Sequence, residues 1–424
     1  MITLEKKNKE KNDLRNEVRE KAVNTFLKNP GKKGTIVLHT GMGKSWVFFD
    51  ILYKLADRIR PHPVLFLAEE TEREADIRKA GEDYKEVYGK NPLEDFDISF
   101  HCYQTAYKWK EKMFRFVCAD EIHDSLSPEY AKFYKNNSME YLLGLTATPK
   151  LEVEYEVTHP VTGKIKQFKK EDLYKLFAPI LYFYGINQAI RNNTTRDIVL
   201  IKIPHSLDSK KFIKLPYSDT EVTEEQAYKL YENKMEYLRM INAHKKEKGK
   251  LGLEISNFLW TLPSKNKTIA KVLDTLEELD ETAIVFGERV EELEKLNIPV
   301  LSSKISKEEN NEILNSFEDE QFNIIGSVKK LKQGKNIRRD IDNIVVHSFT
   351  KQLGNLIQRI GRARYSEKKV YVLLLVTDDT KEIDQYIYDI SNMINCKQYN
   401  ASSLEDALKF YQKCLNEERN KQVN

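Results

Sequence analysis

Cysteine is scarce in this chain, and the four cysteines are too scattered to suggest a zinc site. Cys102, Cys118, Cys396 and Cys414 show no CxxC spacing, and no nearby histidine pair completes a set of zinc ligands. Isolated cysteines of this kind are typical of ordinary thiols in a reducing compartment. We therefore expect no zinc.

Long hydrophobic runs are also missing, because no stretch approaches the roughly 20 apolar residues that a membrane-spanning helix needs. The amino terminus is charged and does not look like a signal peptide. These absences predict a soluble, intracellular protein of the cytoplasm (a host cytoplasm if the source is viral) with no membrane partner.

Net charge is low, since 69 basic residues face 66 acidic ones and leave a formal charge of +3. So small a charge does not by itself indicate nucleic acid, and any basic surface must be local. Hydrophobic residues make up 40% of the chain, which is ample for real cores. A length of 424 residues predicts two or three domains.

Residues 38–45, Leu-His-Thr-Gly-Met-Gly-Lys-Ser, lie between an apolar run and a segment with helical composition. Strand, glycine loop and helix in this order can bind phosphate, because backbone N–H groups and the helix N-terminus face the same oxygens. Lys44 would reach the β- and γ-phosphates, and the Ser45 hydroxyl would hold Mg²⁺. Leu38 stands where the GxxxxGK[ST] pattern has its first glycine, and a flexible turn is the alternative interpretation.

Short apolar runs at residues 63–68, 97–102, 114–119 and 141–145 alternate with helical segments, and each run leads directly into polar residues. This alternation predicts a doubly wound parallel sheet. Because the carboxyl ends of parallel strands share one edge, we expect the functional residues along that edge.

Asp120 and Glu121 directly follow the third of these runs. An acid held at the end of a buried strand can bind Mg²⁺, and its neighbour can orient and deprotonate an attacking water. Two acids also occur at ordinary helix caps, but the preceding glycine loop favours a nucleotide site. His123 is either a polar residue at the mouth of the strand or a link between this site and a neighbouring motif.

Three stretches resemble motifs I, II and III of superfamily 2 helicases of the DExH subgroup: residues 40–45 (TGMGKS), 120–123 (DEIH) and 146–149 (TATP). The resemblance implies motifs IV to VI in a second half, and matching stretches follow at residues 282–287, 323–328 with 331–337, and 358–364 (QRIGRAR). It covers about residues 14–395. The implied fold is α/β, with two tandem RecA-like parallel-sheet domains and an ATP cleft between them.

The resemblance implies ATP and Mg²⁺ as cofactors and assigns a role to each motif residue. The implied residues are, for catalysis, Lys44, Asp120, Glu121, His123, Gln358, Arg359, Arg362 and Arg364; for nucleotide binding, Thr40, Gly41, Met42, Gly43, Lys44, Ser45, Gly334 and Asn336; for the metal, Ser45 and Asp120; and for coupling, Thr146 and Thr148.

Arg362 would serve as the arginine finger, and Gln358 would contact the γ-phosphate or the attacking water. The usual GRxxR pattern has its second arginine where this chain has Tyr365, so the sequence leaves open whether Arg359 or Arg364 assists. Family members usually place a glutamine near position 18 to read adenine, and Val18 here leaves the choice of nucleotide open.

Loops at motifs Ia, Ib, IV and V would hold nucleic-acid phosphates without reading bases. The residues implied for this contact are Thr71, Arg73, Tyr103, Gln104, Thr105, Arg289, Lys329, Lys330 and Lys332. Tyr103 could equally be a packed core aromatic, and the lysines could be a solvated charge run.

Residues 151–264 fit neither RecA-like core. Alternating residues from Val153 and again from Ile165 predict a β-hairpin, which is either a strand-separating pin or a surface insertion. A long helix is predicted over residues 224–248, ending in a basic stretch over residues 239–250. That stretch either tracks a phosphate backbone or complements the helix dipole.

The predicted organisation has five parts. They are a polar tail over residues 1–13, a first domain over 14–150, a hairpin, linker and helical insertion over 151–264, a second domain over 265–395, and a short helix at 404–415 within a polar tail over 396–424.

Residues 178–184 and 198–203 resemble the linker of phage branched-DNA helicases and restriction-enzyme motor subunits. This likeness favours DNA, duplex or branched, over RNA. The predicted function is an ATP-dependent nucleic-acid helicase or translocase that acts as a monomeric motor. The alternatives are an RNA helicase and an ATP-gated clamp that binds nucleic acid without unwinding it.

Overall fold

The computed structural model describes residues 2–71, 73–158, 165–215, 220–328, 337, 339–348 and 368–423. Its described residues form two compact units, and the boundary between them in the sequence lies between Thr195 and Arg196. Within this described part, no helix combines the length and the apolar character needed to cross a bilayer.

The first unit is built on a six-stranded sheet with the strand order β3-β2-β4-β5-β1-β8, and every pairing in it is parallel. Its strands are β1 (Lys33–Leu38), β2 (Val64–Ala68), β3 (Ile98–Cys102), β4 (Met113–Asp120), β5 (Ser138–Thr146) and β8 (Ile180–Tyr184). A separate antiparallel hairpin consists of β6 (Glu154–Thr158) and β7 (Ile165–Lys169). The predicted doubly wound sheet and the predicted hairpin are therefore confirmed.

Helices cover both faces of this sheet, because its four inner strands β1, β2, β4 and β5 are mostly buried and need apolar cover on each side. They are α1 (Ile2–Lys28), α2 (Lys44–Lys54), α3 (Ala56–Ile59), α4 (Arg73–Tyr88), α5 (Pro92–Asp95), α6 (Tyr103–Ala106), α7 (Ile122–Ser125), α8 (Lys132–Asn136), α9 (Lys170–Phe177) and α10 (Ile186–Arg191).

The second unit contains a seven-stranded sheet in the order β13-β14-β12-β15-β16-β9-β17, again parallel throughout. Its strands are β9 (Ile198–His205), β12 (Ala283–Phe286), β13 (Val300–Leu301), β14 (Ile324–Ser327), β15 (Asn343–Val346), β16 (Val370–Thr377) and β17 (Lys397–Asn400), with a small ribbon of β10 (Phe212–Lys214) and β11 (Glu221–Thr223). Two separate parallel sheets, one in each unit, confirm the predicted α/β fold class.

The helices of the second unit fall into two groups. Two of them pack on each other around a small core of their own and form the helical insertion: α11 (Glu224–Met240) and α12 (Lys245–Trp260). The others are α13 (Pro263–Glu278), α14 (Val290–Glu294), α15 (Lys307–Glu318), α16 (Lys381–Ser391) and α17 (Leu404–Val423).

Several predicted boundaries are wrong at the ends of the chain. The backbone is helical without a break over Ile2–Lys28, so no tail ends at residue 13. At the other end, β17 pairs with β9, and Tyr411 of α17 is fully buried in the core of the second unit. Residues 397–423 thus belong to that unit, because the apolar face of α17 is needed to cover the sheet.

The region predicted as a linker and insertion is divided differently as well. Ile180–Tyr184 completes the first sheet beside β1, whereas Ile198–His205 lies inside the second sheet between β16 and β17. The sequence predicts a strand over residues 197–203 that enters the second domain, and the pairing of β9 agrees with this. The place of Ile180–Tyr184 in the first sheet was not predicted, because only long-range pairing assigns such a short strand to its sheet.

The long helix predicted over residues 224–248 is wrong too. It ends at Met240, Asn242 adopts a positive φ of 49°, and a new helix begins at Lys245. Lys245, Lys246 and Lys248 therefore lie in the first turn of α12, at the positive end of its dipole, and Lys250 lies in the second turn. Cations at this end of a helix are unfavourable by about 0.3–1 kcal/mol each. Of the basic stretch, Arg239 alone lies in the last turn of a helix, α11, where a cation complements the dipole. Compensation of a helix dipole therefore does not explain the basic stretch as a whole.

Buried histidines predict that the second unit loses stability on acidification. Burial and nearby lysines lower the pKa of His205 and of His347 to about 3, so below pH 6.5 the unfolded chain binds the protons more readily. As the pH falls from 6.5 toward this folded-state pKa, each histidine should lower the free energy of unfolding by about 1.4 kcal/mol per pH unit.

In the first unit His39 behaves likewise, but burial and the neighbouring Asp124 raise the pKa of Glu69 to about 7, which has the opposite effect. Protection factors from hydrogen exchange, which are corrected for the pH dependence of the intrinsic exchange rate, should therefore fall more steeply for β16 amides than for β1 amides when the pH is lowered from 6.5 to 5. The substitution His205→Gln should roughly halve the slope for β16. Parallel slopes in the two sheets would contradict this account.

Candidate active site

The glycine loop lies between β1 and α2 and turns the chain sharply at the carboxyl edge of the first sheet. Gly41 and Gly43 have φ values of 84° and 83°, a left-handed conformation that disfavours other residues. The loop is tied to the sheet, because the His39 N–H donates to Tyr184 O at 2.8 Å and the Met42 N–H donates to His39 O at 3.1 Å. The N-terminus of α2, at Lys44, is thereby placed at the end of β1.

Glu121 lies at the end of β4 in a strained conformation, with φ 47° and ψ 50°. A non-glycine residue there costs on the order of 1 kcal/mol, and such strain is concentrated at functional sites. The Glu121 carboxylate forms an ion pair with the Lys44 ammonium. Although burial alone would raise its pKa, Lys44 and His123 hold the pKa of Glu121 well below its usual range. The group is therefore an anion at neutral pH.

Asp120 is 3% exposed, and its two carboxylate oxygens differ in environment. Oδ2 accepts a hydrogen bond from Arg73 Nε at 2.5 Å, whereas Oδ1 is buried and has no hydrogen-bond partner among the described residues. A buried carboxylate oxygen without a donor is a suitable ligand for a hard cation. The residues therefore fit the Mg²⁺ implied by the resemblance, with Ser45, next to Lys44 in α2, as the second candidate ligand.

His123 and Thr146 connect the ends of β4 and β5. His123 Nδ1 lies 2.8 Å from Thr146 Oγ1, and Thr146 Oγ1 donates to Glu121 Oε2 at 2.9 Å. The Thr148 N–H also donates to Thr146 Oγ1, at 3.1 Å. His123 is only 1% exposed, so the structure favours its predicted role as a link over that of a polar residue at the strand mouth.

Close packing at Gly144 allows this link to form. A Cβ added there would lie 2.6 Å from Ile122 Cδ1 and 2.7 Å from Thr35 Oγ1, so a larger residue would push the α7 turn off the sheet. The strand order supports the same arrangement, because β5 lies between β1 and β4. Residues that are far apart in the sequence thus converge on one edge.

The residues predicted to contact nucleic acid are separated by the structure into two groups. Thr71, Gln104 and Thr105 are exposed, and so is Arg289, whose Nη2 donates to Asn257 Oδ1 at 2.7 Å. Tyr103 is 2% exposed and its hydroxyl donates to Asp120 O at 2.6 Å, so the core interpretation holds for it.

Arg73 was predicted to contact nucleic acid, and the structure gives it another task. Its guanidinium binds Asp120 and also lies 3.5 Å from Asp76 Oδ2, with only 19% of the side chain exposed. A buried carboxylate is stabilised by a neighbouring cation, and Arg73 fills this place beside Asp120. Its guanidinium is therefore not directed outward toward nucleic acid.

One residue of the predicted nucleotide site, Met42, lies in the hydrophobic core, and so does Val18. Met42 is 2% exposed, and Val18, at the position where the family has a glutamine, is 7% exposed; both belong to the hydrophobic core of the first unit. Outside the described residues lie the predicted Gln358, Arg359, Arg362, Arg364, Gly334, Asn336, Lys329, Lys330 and Lys332.

Lys170 was missed by the sequence reasoning. It is 5% exposed, and its Nζ donates to His123 O at 2.5 Å. Its local sequence, Lys-Lys-Glu-Asp, looks like any solvated charge run, so no signal in the sequence distinguishes it from Lys169.

Comparison with known proteins agrees with this geometry. Residues 11–151 match the family described as "Type III restriction enzyme, res subunit", and residues 264–366 match "Helicase conserved C-terminal domain". The DNA 3'-5' translocase XPB2 of Sulfurisphaera tokodaii is 25% identical over 391 residues, which are 88% of this chain and 84% of that protein.

Solved structures share the fold at low identity. S. cerevisiae Dbp5 bound to RNA and ADP BeF3 matches over 94% of this chain and 93% of its own, with a TM-score of 0.56 and 12% identity. The Type ISP restriction-modification enzyme LlaBIII bound to DNA matches over 92% of this chain and 31% of its own, with a TM-score of 0.57 and 14% identity. Motifs I to III at one sheet edge, both family matches in helicase order and the similarity to XPB2 together support a superfamily 2 helicase or translocase, a class of ATP-hydrolysing enzymes.

Proposed function

We propose that this protein is a DExH-type, ATP-dependent DNA translocase that acts on duplex or branched DNA. The observation that carries the proposal is the arrangement of Lys44, Glu121 and Asp120 at the carboxyl edge of the first sheet. Lys44 would neutralise the β- and γ-phosphates, and the anionic Glu121 would orient and deprotonate the attacking water. Mg²⁺ bound by Asp120 and Ser45 would neutralise charge on the phosphate oxygens.

Hydrolysis would be coupled to movement by two groups of residues. The chain from Glu121 through Thr146 to His123 joins the hydrolytic carboxylate to motif III. On the family pattern, Arg362 would stabilise the transferring phosphoryl group, assisted by Gln358 and by Arg359 or Arg364. Domain closure on ATP and opening after hydrolysis would then move the grip along the strand.

DNA is favoured over RNA because XPB2 is named a DNA translocase and because the first half matches a restriction-enzyme subunit family. An RNA helicase is the second candidate. The experiment measures ATP turnover without nucleic acid and with single-stranded DNA, duplex DNA, a four-way DNA junction or RNA. We expect the largest stimulation with duplex or junction DNA, whereas equal turnover in every tube, or stimulation by RNA alone, would reject the proposal.

The basic stretch over residues 239–250, where α11 ends and α12 begins, is the best candidate for an additional phosphate contact. It presents the exposed Arg239, Lys246 and Lys250 beside the exposed apolar Met240. The double substitution Lys246→Glu with Lys250→Glu should weaken DNA binding for all sequences alike and reduce the slope of log affinity against log salt by about 2.

A matched control is the double substitution Lys210→Glu with Lys211→Glu, which changes the charge of another exposed segment of the same unit equally. Salt titrations of duplex affinity would compare the two variants. Equal losses in both would mean that only net charge matters, and the contact at the basic stretch would be rejected.

A further inference from the structure

The β6–β7 hairpin is joined to the catalytic turn by two buried or half-buried contacts. Lys170, the first residue of α9, follows β7 directly, and its Nζ donates to His123 O at 2.5 Å. Tyr155 of β6 donates its hydroxyl hydrogen to Leu126 O at 3.1 Å. Both acceptors lie at the α7 turn, which immediately follows Glu121.

The burial of Lys170 is costly for an ammonium group and therefore indicates a specific task. The residue is only 5% exposed, and its Nζ lies 5.7 Å from the centre of the Tyr155 ring. Burial lowers its pKa to about 8, while the neighbouring Asp124 opposes this shift, so the ammonium form predominates at neutral pH. A buried lysine is retained only where its donors meet well-placed acceptors.

The catalytic turn needs support from outside because its own geometry is strained. Glu121 has a positive φ, and α7 comprises only Ile122–Ser125, closed by the Asp124 N–H to Glu121 O bond at 2.9 Å and the Leu126 N–H to Ile122 O bond at 3.0 Å. A helix this short has few internal bonds, so its position depends on contacts from neighbouring elements.

We infer that Lys170 is a positioning residue for ATP hydrolysis, which fixes the backbone of the motif II turn to the base of the β6–β7 hairpin. By holding His123 O it keeps Glu121 and the His123 imidazole aligned with Thr146. The inference rests on the proposed function for its effect on turnover, but not for its effect on the turn itself.

The substitution Lys170→Met keeps the length and the apolar stem of the side chain and removes its donors. We expect kcat for ATP to fall roughly 10- to 100-fold, while KM for ATP stays within about threefold. The adjacent Lys169→Met is the matched control, because that side chain is 59% exposed and should leave kcat unchanged.

A second variant covers the case in which Lys170→Met does not fold. Tyr155→Phe removes one hydroxyl and keeps the ring contact with Phe168, and we expect a smaller fall in kcat of roughly 2- to 10-fold. Wild-type kcat in a folded Lys170→Met, or in Tyr155→Phe if only that variant folds, would overturn the inference.

Hydrogen exchange separates this inference from the proposed function. In Lys170→Met, or in Tyr155→Phe if the first does not fold, the amides of Asp124 and Leu126 should exchange faster than in Lys169→Met, whether or not the wild type hydrolyses ATP. An inactive wild type with this local change would reject the function and keep the positioning role. Unchanged exchange at both amides would reject the positioning role.

Discussion

Replacing Glu121 by glutamine is expected to lower kcat for ATP hydrolysis by roughly 10²- to 10⁴-fold. The carboxylate is held as an anion by Lys44 and His123, so it can accept a proton from the attacking water at neutral pH. The amide has nearly the same size but no proton-accepting carboxylate. ATP binding should persist, because the glycine loop and Lys44 remain, and the variant should therefore bind nucleotide and turn it over very slowly.

Single-turnover hydrolysis and nucleotide titration measure these two effects separately. Glu129→Gln is a suitable control, since this exposed glutamate of the same unit pairs only with Lys132 among the ion pairs of the described residues. A kcat for Glu121→Gln within twofold of the wild-type value would show that another group activates the water.

Replacing Lys44 by alanine should reduce kcat/KM by about 10³-fold and abolish stimulation by nucleic acid. Two effects combine here. The phosphates lose the cation that the loop directs at them, and Glu121 loses its ion-pair partner, so that its burial is less compensated. Unlike Glu121→Gln, this variant should also bind ATP more weakly.

The fold should survive this change, because Lys44 is the first residue of α2, whereas the buried residues of the helix are Val47, Phe48, Phe49, Ile51 and Leu52. Circular dichroism and a thermal melt would check the fold, and Lys54→Ala, at the other end of α2 and exposed, is the matched control. Full activity in Lys44→Ala would mean that the glycine loop is only a turn.

Local sequence signals predicted the part of the site that depends on local geometry. The glycine loop before Lys44 follows β1 directly, Asp120 and Thr146 end β4 and β5, and Glu121 comes next after β4. Their position at the sheet edge therefore follows from the parallel topology. The fold class followed from the same alternation.

Partners across long sequence distances were not predictable in this way. The pairing of Arg73 with Asp120, the burial of Tyr103 and the contact of Lys170 with His123 join residues 17 to 47 positions apart. Charge and polarity alone suggest exposure for such residues, whereas the need to compensate buried carboxylates and carbonyls decides their position.

The predictions of helix ends and of which sheet each strand joins failed for a related reason. The break at Asn242 interrupts a composition that favours helix throughout, and β8 and β17 are short strands whose sheets are chosen by pairing. Propensity is local, whereas packing of α12 against α11 and of α17 against the second sheet is not.

The most direct measurement is the steady-state rate of ATP hydrolysis by the wild-type protein and by Glu121→Gln, with and without duplex or junction DNA. We expect wild-type hydrolysis to rise strongly when DNA is added, and the rate of Glu121→Gln to stay near background in both conditions. A wild-type rate that does not respond to DNA and persists in Glu121→Gln would contradict the role of Glu121 in a DNA-stimulated ATPase.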